Sequence, residues 1–206
     1  VTSFLERGAV KTLRQKDKKF VNVAFPYVTF SEPKKVQNYE LRNQSYKGFC
    51  AGGNKASACW IASFADREEV KKVYIGESAI DMVSLYQLLP SAERMSAAFI
   101  SIGGYLSAGQ IDGLRDYFPN AQIYLAFDND LQGQMYDVMA TYFLTKGIVA
   151  KVYKSGDDIV IKTEKETISI PQSKFNSSDI LSQIGGNIHI IKAGKGCKDF
   201  NEMLLL

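Results

Sequence analysis

AQIYLAFDND, residues 121–130, decides the fold: an apolar run from Ile123 to Phe127 stops abruptly at two carboxylates, Asp128 and Asp130, one residue apart. A run that is apolar on both faces suits a parallel strand covered by helices on each side. Ligands of such sheets gather at the carboxyl ends of the strands, where these two acids fall. If the chain stays extended, residues two apart point the same way, and like charges so placed repel unless a cation lies between them. Hard oxygen ligands suit Mg²⁺. A solvated Asp-Asn-Asp turn after a strand explains the same tripeptide equally well.

Working outward, the same theme recurs upstream. Residues 73–77, VYIGE, form a second apolar strand that ends at Glu77, and a helix over 78–89 places Ile80, Val83 and Tyr86 on one face. Asp81 falls in its first turn, where an acid either complements the helix dipole or joins a metal site. Residues 97–102, AAFISI, give another strand running into Gly103-Gly104, a pair that admits a phosphate or simply turns the chain. Ser107 and Gln110 have capping-box spacing, and Ile111, Leu114 and Phe118 extend a helix to Pro119.

Downstream, Met135, Val138, Met139 and Tyr142 mark one face of a helix that stops at Lys146-Gly147. Strand, helix, strand, helix is the rhythm of a doubly wound sheet. Residues 148–154 are expected as its fourth strand, followed by an inserted hairpin within 155–185 and a last strand over 188–193. His189, the single histidine, alternates with isoleucines there and reads as structural. GKGCKDFNEMLLL closes the chain, with Asp199 at the start of a terminal helix, where an N-cap is the simple reading.

The first third of the chain differs. After a polar, basic segment with Phe4, Leu5, Ala9, Val10 and Leu13 at loosely helical spacing, residues 20–64 read as antiparallel strands. Arg42, Lys47 and Lys55 lie on or beside them, interleaved with Tyr39, Tyr46 and Trp60. Cations among aromatic faces can track single-stranded nucleic acid, although a lone Trp beside Ile61 more simply belongs to the core. Residues 1–72 hold 14 Lys and Arg against 7 Asp and Glu; the remainder holds 11 against 15. A basic part beside an acidic one suits a protein that grips polyphosphate and a divalent metal together, and lysines that merely solvate a surface account for the charge equally well. A boundary near residue 68 would separate a basic β-rich subdomain (1–68) from an α/β domain (69–206). Three cysteines without CxxC spacing argue against a disulfide frame or zinc ribbon, and no stretch is long enough for a membrane span, so a cytoplasmic protein is expected.

Three segments together, ESAID at 77–81, FDNDLQGQ at 127–134 and GKGCKDFNEML at 194–204, resemble the Toprim family of primases, topoisomerases and nucleases. The resemblance implies a Toprim-like, Rossmann-like, mostly parallel sheet flanked by helices. It implies Glu77 as metal ligand or general acid/base, Asp128 and Asp130 as ligands of Mg²⁺ or Mn²⁺, and Asp81 and Asp199 as further acids around that pocket. The basic strands look like the region preceding Toprim in the primase-like proteins of mobile elements and conjugative plasmids. Arg42, Lys47 and Lys55 would then meet nucleic acid or nucleotide phosphates. The expected activity is short RNA synthesis from nucleoside triphosphates on single-stranded DNA, with a helicase or zinc-binding segment encoded elsewhere. The alternatives are a Toprim nuclease and an inactive DNA-binding module.

Overall fold

The computed structural model describes residues 2–6, 8–14, 21–194 and 196–206. The expectations made for residues 15–20 and for Lys195 of the terminal glycine loop lie outside the described residues. In chain order the elements are α1 (Thr2–Glu6), β1 (Lys11–Arg14), β2 (Val21–Val28), β3 (Asn38–Arg42), β4 (Lys47–Phe49), β5 (Cys59–Ser63), β6 (Lys72–Gly76), α2 (Ala79–Leu88), α3 (Ser91–Arg94), β7 (Ala97–Ser101), α4 (Ala108–Ile111) and α5 (Leu114–Tyr117). They continue with β8 (Gln122–Leu125), α6 (Leu131–Lys146), β9 (Lys151–Ser155), β10 (Asp158–Lys162), β11 (Thr167–Pro171), α7 (Ser177–Ile184), β12 (Ile188–Ile190) and α8 (Phe200–Leu205).

Side chains that alternate along the central strands build two covered faces. Val73 and Ile75 of β6, Ala98 and Ile100 of β7, and Ile123 and Leu125 of β8 share one buried cluster with Tyr136, Ala140 and Leu144 of α6. Tyr74 and Phe99 belong to the opposite cluster, with Met82 and Val83 of α2. β6 pairs parallel with both β7 and β8, and β12 pairs parallel with the outer side of β8. This is a mostly parallel α/β core flanked by helices, as the apolar runs imply.

The antiparallel strands extend the same sheet. Its order is β12-β8-β6-β7-β5-β2-β3-β4, with β1 also on β2. Phe25, Tyr27 and Trp60 pack in one cluster with Tyr74, Met82 and Phe99, so residues on both sides of position 68 contribute to one core. Trp60 is fully buried and donates its Nε1–H to the Ala9 carbonyl, 2.6 Å away, which is the core role expected of it. Cys59 and Cys197 are buried free thiols and Cys50 is half-buried. His189 is exposed on β12 and stacks on Tyr124, the ring centroids 4.8 Å apart.

Three local expectations are corrected. Residues 148–154 do not supply the fourth parallel strand: Val152 faces Ile161 in a separate antiparallel sheet, β11-β10-β9, and β12 takes that place. The helix read through Ile111, Leu114 and Phe118 is two short ones, broken at Gly113, whose φ of 75° is left-handed. The loosely helical N-terminus is one short helix followed by a strand paired to β2. The Met135, Val138 and Tyr142 face of α6 is apolar because it covers the small sheet, through Val152, Ile159 and Ile161. No helix among the described residues is long and apolar enough to cross a membrane.

Candidate metal centre

Two strand ends lie side by side because backbone approaches backbone there. The Ala126 N–H donates to the Ile75 carbonyl at 2.7 Å, and a Cβ on Gly76 would stand 3.0 Å from the Ala126 carbonyl oxygen and 2.3 Å from Met82 Cε. Glu77 follows directly. Its carbonyl accepts from the Gly104 N–H at 2.9 Å and the Ser101 hydroxyl at 3.1 Å, which fixes the backbone from which the carboxylate projects.

Asp128 and Asp130 lie beyond the end of β8, in the turn that starts α6. Asp130 is the N-cap of α6, its Oδ1 accepting from the Gly133 N–H at 2.9 Å. The helix cap turns its free Oδ2 toward Asp128's side: Lys198 Nζ lies 3.2 Å from Asp128 Oδ2 and 3.6 Å from Asp130 Oδ2. The capping turn expected of this tripeptide is present, and the positive charge standing between its two aspartates is the Lys198 ammonium. Asp199 caps α8 in the same manner, accepting from the Glu202 N–H at 2.7 Å. Asp81 is buried in the first turn of α2 and accepts from the Ser78 hydroxyl, while Ser78 caps that helix.

Charge gathers among these acids. Burial, reinforced by the charges of Asp128 and Asp130 and opposed by Lys198, pushes the Glu77 carboxyl up to about 7. Burial also raises Asp81 to about 6; its Ser78 hydrogen bond opposes this, Asp199 and Asp128 add to it, and the Arg42 charge lowers it. Asp128 is raised, again chiefly by burial, with Lys198 opposing and Asp199 and Asp130 adding. Asp128 and Asp130 thus bear on Glu77, Asp199 and Asp128 on Asp81, and Asp199 and Asp130 on Asp128, which links the five acids pair by pair.

A hard divalent cation fits these acids. Glu77 Oε1 is buried with no hydrogen-bond partner, and an ammonium already stands at the two aspartates. Among the described residues no three acid, histidine or cysteine side chains form a ready-made metal cage. Mg²⁺ does not require one, since it keeps several waters and completes its shell with one or two carboxylates and substrate phosphates.

The three basic residues lie on the same side of the molecule as Asp81 or the glycine turn. Arg42 Nε pairs with buried Glu40 at 2.7 Å and is near enough to Asp81 to favour its ionised form. Lys55 Nζ donates to the Gly103 carbonyl at 2.8 Å. Lys47, exposed on β4, faces Arg42 across the strand pair and lowers the Lys55 pKa after burial has done so.

Several contributors carry no local signal in the sequence. Asn129, the residue between the aspartates, donates its side-chain amide to the carbonyls of Ala193 and Cys197, both at 3.2 Å, and its own N–H to the Lys198 carbonyl at 2.6 Å. It ties the terminal loop to the acid turn. Lys192 donates to the carbonyls of Phe127 and Asp128, each at 3.2 Å, and pairs at 2.9 Å with Asp137, which is fully buried in α6. Lys198 stood inside the quoted GKGCKDFNEML segment, yet only its distance to the aspartates reveals its role.

Residues 74–159 match the Toprim-like family model. The match contains Glu77, Asp81, Asp128 and Asp130 and stops before the terminal segment with Lys198 and Asp199. No curated protein sequence matches the chain.

Proposed function

We propose that this chain, which carries a Toprim-like domain over residues 74–159, is the catalytic region of a primase-type nucleotidyltransferase making short RNA on single-stranded DNA. One observation carries the reading: Glu77 is held near neutrality, with an orphaned oxygen, beside two aspartates that already share a cation. A carboxyl poised near the working pH can accept or deliver a proton, or ligate metal once ionised. Bound Mg²⁺ or Mn²⁺ would stabilise charge on the transferring phosphoryl group and lower the pKa of the attacking 3′-hydroxyl. Glu77, Asp128 and Asp130 supply the oxygen ligands, Asp81 and Asp199 deepen the negative potential around them, and Lys198 offsets it while the acids are bare. Arg42, Lys47 and Lys55 supply positive charge for template or nucleotide phosphates.

The test is primer synthesis on single-stranded DNA with ribonucleotides and Mg²⁺, comparing the wild type with Asp128→Asn. The expected result is metal-dependent oligonucleotide product, reduced about 100-fold or more in the variant. Shortening of a labelled strand in the absence of nucleotides would assign the hydrolytic chemistry of a Toprim nuclease instead. Salt-sensitive DNA binding with no metal-dependent product would leave a DNA-binding module.

A further inference from the structure

We propose that Tyr105 is a base-stacking platform at this site, which would take an unpaired nucleobase of a single-stranded nucleic acid. The inference rests on the nucleic-acid reading above and deepens it by naming where a base sits. Tyr105 is 62% exposed, while the apolar residues around it in sequence, Ile102 and Leu106, are buried.

The turn that carries this ring is held on every side. The Gly103 N–H donates to the Ser101 hydroxyl at 3.2 Å, and the Gly103 carbonyl accepts from Lys55 Nζ at 2.8 Å. The Gly104 N–H donates to the Glu77 carbonyl at 2.9 Å, and the Gly104 carbonyl accepts from the Tyr136 hydroxyl at 3.0 Å. Gln110 holds both flanks, donating to the Ile102 carbonyl at 2.7 Å and accepting from the Ser107 N–H at 2.8 Å. Both glycines have left-handed φ, 71° and 86°. A Cβ on Gly103 would stand 2.6 Å from the Phe49 ring, whereas one on Gly104, the residue before Tyr105, would meet nothing within 4 Å.

With the backbone on either side of it held, Tyr105 has only its own two χ angles left to fix when it binds, and low ordering cost favours affinity. Its chain neighbour bonds the backbone of Glu77, so a stacked base would leave its sugar and phosphate close to the acids, with Lys55 at the other end of the turn. Aromatic stacking is tolerant of base identity because every base has a π-face, which suits a strand read without sequence preference.

The experiment measures fluorescence anisotropy of the full chain with a short labelled oligodeoxythymidylate and with an abasic strand of equal length, at fixed salt and Mg²⁺. The wild type is expected to prefer the base-bearing strand by about 5- to 100-fold. Tyr105→Ala should lose that preference while its affinity for the abasic strand is unchanged, and Tyr105→Phe should keep it. Retained preference in Tyr105→Ala would overturn the assignment, as would a wild type that binds both strands equally, and in either case the nucleic-acid reading of the site would stand. A wild type that binds neither strand would remove that reading, and the platform with it.

Discussion

Glu77 pairs burial with negative neighbours, and its protonation should therefore be visible in the stability of the metal-free protein. Its folded pKa of about 7 stands above the ordinary 4.5, so the folded state binds a proton more tightly than the unfolded chain. The associated stability is fully present below about pH 4.5 and is lost as pH rises through about 7. Thermal melts without metal should show Glu77→Gln close to the wild type at pH 5 and more stable than it at pH 8. Mg²⁺ should raise the wild-type melting temperature more at pH 8 than at pH 6, because ligation requires the ionised carboxylate. A melting difference identical at both pH values would mean that folding does not raise the Glu77 carboxyl, whether by burial or by its acidic neighbours. Lys198 makes the converse case. Its ammonium offsets the aspartates, so Lys198→Met should lower the metal-free melting temperature at pH 8 by a few degrees, about 1 kcal/mol, and Mg²⁺ should recover that loss.

The start of α6 is the element on which the two aspartates depend. A Cβ on Gly133 would lie 2.1 Å from the Asp128 carbonyl oxygen, backbone against backbone, so Gly133→Ala must displace the acid turn and should cost about 1–3 kcal/mol. Beneath the turn, Lys192 bonds two of its carbonyls and pairs with buried Asp137. Removing one member of a buried pair strands the other, and Lys192→Met should destabilise the protein by about 3 kcal/mol. Lys192→Met with Asp137→Leu removes the stranded charge as well and should recover most of that stability. Metal affinity, read by calorimetry, should stay weakened in the double variant, since the carbonyls of Phe127 and Asp128 still lack their donor. Full recovery of both would make the pair purely structural. The central strands and helices were legible in the sequence because two-residue and 3.6-residue periods are local, and the acids because they stand where those periods stop. Lys192, 64 residues from Asp128, and Asn129, 68 from Cys197, were not, because an ordinary lysine or asparagine takes its role from a distant partner. The small sheet escaped for a related reason: alternation in 151–155 marks a strand but not which sheet it joins.

At the scale of the whole molecule, the basic strands and the acid rim are parts of one sheet linked by a buried polar chain. Arg42 pairs with Glu40; Glu40 accepts from the Tyr27 hydroxyl at 2.9 Å; the Tyr27 and Ser101 hydroxyl oxygens stand 2.9 Å apart; and Ser101 donates to the Glu77 carbonyl. Glu40, Tyr27 and Ser101 are all essentially without solvent contact, so no water can replace a missing member at low cost. The change in charge and pattern near residue 68 marks where antiparallel pairing gives way to parallel pairing, and β5 crosses it by pairing with β7 along Trp60 to Ser63. Expressed alone, residues 69–206 would uncover that edge of β7 together with Tyr74 and Phe99, an unpaired apolar strand prone to association. The fragment should elute as aggregate or lack a cooperative melt, while the full chain melts in one transition. A monomeric fragment with a cooperative melt and Mg²⁺-dependent stabilisation would show that the α/β part folds without the basic strands, and that the buried chain to Arg42 is not needed to place Glu77.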